Sequence, residues 1–474
     1  MLKHFKQTPF FELLKHSKNY FLSNLATGAL AFLSMPVMTR LLSPHDYGVL
    51  AVFTGYQGIF IALLTLNCYV ALGRYYYEKK EDFKEFFGTN LIFVLFLLVL
   101  AFLFFMIFRE QAASILGLPS NTIVYIVPAV LIYVSGSWFE QLYMPQKESR
   151  KIAVRNIFRA YGIFTLSVVI ILFLNHEKYL GQIYGMMIIG TLFFFYYIFE
   201  LKSYLKLSFQ LKHVRYILHY SVPLLLYSLS GVILAQFDKI MVNRYLGSDS
   251  AGLYAFAAVV GSILTIISSA MFQAWNPDYF AHMDSKNYNQ LNSDAYKIFK
   301  IIMICALFLI LFGQEIGMIL ASKNFYDALP VIPIIVIGYI FNSIFAFYGW
   351  NIEYEKKNIY LSMVVLAAGA INIFLNMLFI PKFGYIAAAY TTAVSYFAMA
   401  FLAWFTSKCV LKIYCVPIWP ILQSFFIIAL LLIIYFMISL LPLHFGFFLL
   451  IKFLFCLIGA ALLCGRSILD FFIK

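Results

Sequence analysis

Apolar runs of about twenty residues or more alternate along this chain with short clusters of charge, and each run is long enough to cross a hydrocarbon core as a helix. The runs fall near 20–39, 47–72, 87–108, 122–144, 157–174 and 180–200, then near 217–240, 250–275, 297–320, 328–350, 359–380 and 384–407. Two more lie near 418–440 and 446–464. The pattern predicts an all-α polytopic membrane protein with about fourteen transmembrane helices and little chain left over for loops.

Composition supports this. Of 474 residues, 63% are apolar and 12% charged, about half the ~25% charge of a soluble domain. No segment is long or polar enough to fold as a separate soluble domain. The formal charge of +13 does not point to nucleic acid, because Lys and Arg sit in short loops, where they set topology. Placing the N-terminus in the cytoplasm puts 26 of them on that side, including Lys3, Lys6, Lys15 and Lys18 at the start, Lys80 in a loop and Arg466 and Lys474 in the tail. Seven fall on the other side: Arg40, Arg109, Lys178, Lys239, Arg244, Lys323 and Lys382. Lys452 lies within a span. Omitting one span would swap every later loop, so the asymmetry predicts an even count with both termini cytoplasmic. The six cysteines, Cys68, Cys305, Cys409, Cys415, Cys456 and Cys464, show no CxxC or metal-ligand spacing and read as mostly buried free thiols. No metal or cofactor is expected.

The chain also repeats itself. A shift of 204 residues lays Arg40–Ala51 on Arg244–Ala255, matching Arg, Leu, Gly and Ala, and superposes two spans with their connecting turn. It maps the small and polar stripe Asn24, Thr27, Ala31, Ser34 of span 1 onto Ser228, Gly231, Ala235, Asp238 of span 7. Six spans separate the copies, so the halves run in the same direction through the membrane. Parallel repeats of this kind predict two pseudo-symmetric six-helix bundles, 1–212 and 213–412, with a substrate path between them and two additional helices over 413–474.

Spacing of three and four places Asn24, Thr27, Gly28, Ala31 and Ser34 on one face of span 1. That face either lines a water-filled cavity or lets two helices pack closely. The matching stripe of span 7 adds Gln236 and ends in Asp238-Lys239, where the two charges pair, snorkel or face a cavity. Glu140 closes span 4, and Arg155 and Arg159 enter span 5, so a Glu140–arginine pair is expected to hold the helices in register. Alternatively these arginines, with Arg74 after span 2, form a cationic entrance for a phosphate-bearing headgroup, since a guanidinium grips phosphate with two N–H groups. In Gln273-Ala-Trp-Asn-Pro277 the proline is expected to end span 8 and Trp275 to anchor at the interface, with Gln273 and Asn276 in reach of a sugar. Asn342, Trp350, Asn351 and Glu353 in and after span 10 mix polar and aromatic groups as carbohydrate contacts do. No nucleophile triad, phosphate loop or sugar-nucleotide motif stands on a sizeable polar loop.

Three motifs resemble a known family. These are Pro36-x-x-x-Arg40-x-Leu-x-Pro44-x-x-Tyr47-Gly48 after span 1, Gly73-Arg74-Tyr75-Tyr76 after span 2, and Asp238-Lys239…Gly247…Gly252-Leu-Tyr254 after span 7. They are similar to the signatures of polysaccharide and O-antigen flippases of the Wzx type, in the multidrug/oligosaccharidyl-lipid/polysaccharide exporter superfamily. The resemblance implies a substrate of lipid-linked oligosaccharide, of the undecaprenyl-diphosphate type, carried across the bacterial inner membrane for surface polysaccharide such as O-antigen or capsule. It implies membrane lipids, a coupling ion (H+ or Na+) and polysaccharide polymerases as partners, and no nucleic acid. It makes Arg40, Arg74, Arg155, Arg159 and Arg244 the nearest matches to basic cavity residues. A drug/cation antiporter of the same superfamily is the main alternative, although span 1 carries no carboxylate for an ion. An integral-membrane glycan polymerase is a further one, although the outer loop at 109–121 is small for a catalytic site.

Overall fold

The computed structural model describes residues 9–79, 81–440 and 445–464. Lys3, Lys6, Lys80, Arg466 and Lys474, on which part of the topology rests, lie outside them, as do the side chains of Lys15, Lys18 and Cys464. Among the described residues, fourteen helical stretches are long and apolar enough to cross a membrane. The protein is a multi-pass membrane protein. Its surface carries many large apolar side chains, including Ile107, Phe173 and Leu226, which a soluble protein would hide but lipid accepts.

By internal contacts the chain divides into two compact units, Met1–Leu253 and Tyr254–Lys474. The first contains α1 (Pro9–Leu41), α2 (Pro44–Thr65), α3 (Val70–Glu78), α4 (Phe83–Ile107), α5 (Arg109–Leu116) and α6 (Ser120–Tyr143). It continues with α7 (Ser149–Phe173), α8 (Tyr179–Leu201), α9 (Leu211–Leu246) and the start of α10 (Ser248–Gly261). The second holds α11 (Ile263–Asp284), α12 (Tyr288–Leu320), α13 (Ile332–Tyr354), α14 (Asn358–Phe383) and α15 (Tyr385–Phe405), followed by α16 (Trp419–Ser439) and α17 (Phe445–Cys464). The contact division thus places α9 with the first unit, whereas the sequence repeat begins at 213. One is a matter of packing, the other of symmetry.

Local chemistry sets the turn after α1. Ser43 caps α2: its Oγ accepts from the Asp46 N–H at 3.1 Å, Asp46 accepts from the Ser43 N–H at 3.2 Å, and Pro44 occupies the first turn. Gly48 then lets α2 lie directly on the start of α10. A Cβ at Gly48 would run into the backbone carbonyl of Ser248, and one at Gly252 into that of Pro44. Pro44 and Gly48 are the residues that the 204-residue shift pairs with Ser248 and Gly252, so the contact is reciprocal. His45 and Asp249, also equivalent, pair at 3.5 Å.

Two helices depart from the sequence reading. The span expected over 47–72 ends at Thr65, because Leu66 and Asn67 turn left-handed (φ 48° and 53°) before α3 begins. The break survives because its freed carbonyl finds a donor: Asn90 Nδ2 bonds to the Cys68 carbonyl at 2.7 Å, and Trp138 Nε1 bonds to Asn90 Oδ1 at 3.0 Å. Asn67 itself reaches Ser228 of α9. Conversely, Pro277 does not end span 8, since α11 continues through it to Asp284. Pro277 and Gln273 are both exposed, so the proline ring and the carbonyl it leaves without an N–H partner lie on an outward face of the helix and not in the packed interior. Trp275 is not an interfacial anchor either. It is buried and stacked on Phe347 (centroids 5.7 Å apart, planes 11°).

In the second unit α13 packs on α15, α15 on α14, and α12 on α13. The two last helices pack on α12 and on each other. Lys452 of α17, only 6% exposed, donates to Glu315 of α12 at 2.5 Å, with the Phe312 and Tyr435 rings 5.8 and 5.9 Å away.

Candidate functional site

Ionisable side chains of the first unit gather where α6, α7 and α8 meet. Arg155, one turn inside α7, is 6% exposed. Its Nη2 donates to the Gly136 carbonyl at 3.1 Å and to Glu140 at 2.9 Å, the pairing expected from sequence. Its guanidinium lies 5.1 Å from the Phe139 ring and 5.3 Å from the Tyr197 ring, an arrangement that strengthens as water is excluded. Two polar atoms here are buried without a partner among the described residues, Arg155 Nε and Tyr197 Oη. Arg159 follows at i+4 on the same face of α7. It is half-buried, makes no hydrogen bond or ion pair among the described residues, and feels the charges of Arg155 and Glu140. The site therefore holds two arginines and one carboxylate, and an anion is the natural complement.

Beside this cluster, Lys151 pairs with Glu200 of α8, and its Nζ lies 4.1 Å from the Tyr143 ring, whose hydroxyl donates to the same carboxylate at 2.8 Å. Glu200 was not singled out from sequence. Its signal was position, as a carboxylate ending span 6 opposite a lysine opening span 5.

Arg74 does not join the cluster by any hydrogen bond or ion pair. It pairs with Glu78 on its own helix, and Glu78 also accepts from the Tyr216 hydroxyl at 2.6 Å. Tyr216 and then Arg74 hold Glu78 below the usual carboxylate range. A little further on, Asp82 accepts from Tyr75 at 2.8 Å, from the His213 ring at 3.1 Å and from Lys212 at 3.4 Å. Burial pushes the Asp82 pKa up, but those three hydrogen bonds together outweigh it and hold the carboxyl below its ordinary value. Glu85 ties in Lys206 and Gln210 at 2.7 and 2.5 Å. The start of α9 and the strap before it are thus fastened to α3 and α4 by residues the sequence reading passed over.

The small-residue stripes are open at their glycines. A Cβ added at Gly28 of α1 or Gly231 of α9 would meet nothing within 4 Å, so these positions do not serve close helix packing. Asn24 is exposed on the α1 stripe. On α9, Lys239 Nζ donates to Gln236 at 2.8 Å, while Asp238 is buried. Arg40 and Arg244, equivalent by the repeat, are both exposed at helix ends and bond to the carbonyls of Pro36 (2.6 Å) and Ser114 (3.0 Å).

In the second unit Gln273 is exposed, Asn276 and Asn342 are half-buried, and none of the three makes a hydrogen bond among the described residues. Asn351 is committed elsewhere, buried with Tyr279 and Cys415 as partners. Of the cysteines, Cys68 is buried and Cys409 exposed, with Cys305, Cys415 and Cys456 between. Burial was thus overestimated, because an apolar run in a membrane protein turns many of its faces to lipid.

Residues 13–283 match a family described as "Polysaccharide biosynthesis protein". The chain belongs to that family. Among its relatives is a protein of the Lsg locus of Haemophilus influenzae, 22% identical over 81% of this chain and 98% of that one. Another is the "Probable low-salt glycan biosynthesis flippase Agl15" of Haloferax volcanii, 22% identical over 81% of each. The "Succinoglycan biosynthesis transport protein ExoT" of Rhizobium meliloti is 24% identical over 51% of this chain and 48% of that one. Among solved structures, the lipid II flippase MurJ superposes with a TM-score of 0.73 at 15% identity, covering 96% of this chain and all of the other. A multidrug resistance MATE family transporter of the MOP superfamily gives 0.59 at 12%, covering 82% and 98%. The chain thus has the fold of these transporters.

Proposed function

We propose that this chain is a flippase that moves an oligosaccharide linked to a polyprenyl diphosphate, of the undecaprenyl type, from the cytoplasmic to the outer leaflet of a bacterial inner membrane. The product feeds surface polysaccharide assembly, with polymerases acting downstream, and both termini lie in the cytoplasm. The single observation carrying this reading is the Arg155–Arg159 pair, embedded in a chain of this family with only one carboxylate to balance two guanidinium groups. Arg159, without a partner, meets the diphosphate, while Arg155 and Glu140 position it. Arg74, Arg40 and Arg244 guide the headgroup at the two ends. Polar residues shelter the glycan: exposed Asn24 and half-buried Gln236 and Lys239, backed by buried Asp238, in the first unit, and Gln273, Asn276 and Asn342 in the second. The lipid tail stays in the bilayer while alternating access exposes the headgroup on the far side, biased by a proton or sodium gradient.

The test is reconstitution of the full chain in vesicles with a fluorescent polyprenyl-diphosphate oligosaccharide, scored by access of an external quencher. Wild type should translocate the probe, and Arg159→Ala should slow translocation about tenfold, the worth of one charge-assisted contact. Gradient-driven efflux of cationic drugs, with no movement of the probe, would assign the antiporter role instead.

A further inference from the structure

A groove of about 490 Å³ opens between the first two turns of α7 and the last turns of α8. One end is cationic, with Arg150, Lys151 and Arg155 lining it and Glu148 at its rim. Two of these cations already have carboxylates, Glu200 for Lys151 and Glu140 for Arg155. Two donors remain unmatched. Among the described residues, Arg150 is exposed and makes no hydrogen bond or ion pair, and Arg155 Nε, on a side chain 5% exposed, has no acceptor. The N-cap of the 25-residue helix α7 supplies no side-chain acceptor to its first N–H groups, so the helix terminus adds partial positive charge at the same place. The other end of the groove is apolar, walled by Val154 and Phe158 of α7, both exposed, and by Phe193 of α8.

A cationic head and an aromatic trough side by side select an amphiphile with a phosphate. Inorganic phosphate would leave the trough uncovered, and a zwitterionic choline headgroup would bring a second cation to a cationic site. A headgroup with hydroxyls would satisfy Glu148 as acceptor. We infer that the α7–α8 groove is a resident site for one phosphatidylglycerol-type phospholipid, its phosphate held by Arg150, Arg155 Nε and the α7 N-terminus and an acyl chain laid past Val154 and Phe158. The groove shares Arg155 with the proposed substrate site, but Arg150, Val154 and Phe158 have no part in the proposed flipping, and lipid occupancy is measurable whether or not the chain moves a glycan.

The full chain, purified in mild detergent with equal phosphatidylglycerol and phosphatidylcholine, is examined by native mass spectrometry. Wild type should keep one phosphatidylglycerol after other lipids are stripped. Arg150→Gln should lower that occupancy about tenfold, as for loss of one charge-assisted phosphate contact. Val154→Trp, which fills the trough and leaves every charge in place, should lower it too. Both positions are exposed, so folding is not at stake, and phosphatidylglycerol should raise the melting temperature of wild type more than that of either variant. Equal retention of the two lipids, or wild-type retention by both variants, overturns the proposal. So does displacement of the phosphatidylglycerol by an equimolar polyprenyl-diphosphate glycan, which would make the groove part of the substrate's route.

Discussion

Arg155 shows how one side chain can be both anchored and available. Its Nη2 is spent on Gly136 and Glu140, yet its Nε faces no acceptor among the described residues. Replacing Glu140 with Gln removes the balancing charge and leaves Arg155 buried beside Arg159. Because Glu140 is 42% exposed, the cost is well short of a fully buried pair, about 1–2 kcal/mol. A lowered melting temperature should report it, and Arg155→Met together with Glu140→Gln should recover part of the loss. This pairing was legible in the sequence, because Glu140 and Arg155 flank one short loop. Asp82 was not legible. Nothing in Glu81-Asp82-Phe83 announces a partner more than a hundred residues away, and His213 looks like one more basic residue of a topological loop.

Among the elements, the fastening of α9 to α3 and α4 has a defined acid limit. Asp82 is held below its ordinary pKa, so its contribution to stability is complete above about pH 4 and is lost as pH falls through the lowered folded value. Wild type should therefore lose thermal stability on acidification below pH 4 more steeply than Asp82→Asn, whose stability is lower at neutral pH but lacks that step. The α12–α17 pair gives a second test. Lys452→Met leaves Glu315 without its cation, whereas Lys452→Met with Glu315→Gln removes both charges. The double variant should melt above the single one, with a coupling energy of about 1–3 kcal/mol in the full cycle. The membrane-crossing helices were readable because lipid demands long apolar runs, whereas the short α3 and α5 were not. Breaks were not, since Leu66-Asn67 contains neither Gly nor Pro and depends on Asn90 from another helix. Pro277 misled for the opposite reason: the carbonyl it frees lies on an outward face of the helix, so the helix tolerates it.

At the scale of the whole molecule, the pairing of the two repeat-equivalent turns matters most. Gly48 and Gly252 bring backbone to backbone, and His45 and Asp249 close the contact from outside. On the proposed topology this is the outer end of the path, where the headgroup must leave. Cysteines at 45 and 249, in a background with exposed Cys409 replaced by Ser, should be joined by a short cleavable cross-linker. Translocation of the fluorescent probe should stop on linking and return on cleavage. Gly48→Val should instead lower stability by about 1–3 kcal/mol, as overpacking against a carbonyl does, measured by thermal unfolding. The likeness of the two turns was legible in the sequence repeat, but the contact between them was invisible, because the alignment shows only that the turns are alike.

That likeness carries a consequence about ancestry. Each turn touches the other through the same residues that touch it back, which is the definition of a twofold interface. A half-length chain bearing one such turn would already carry both sides of the contact and would dimerise through it, two copies running the same way through the bilayer. A chain that joins two such halves needs no new interface at this turn.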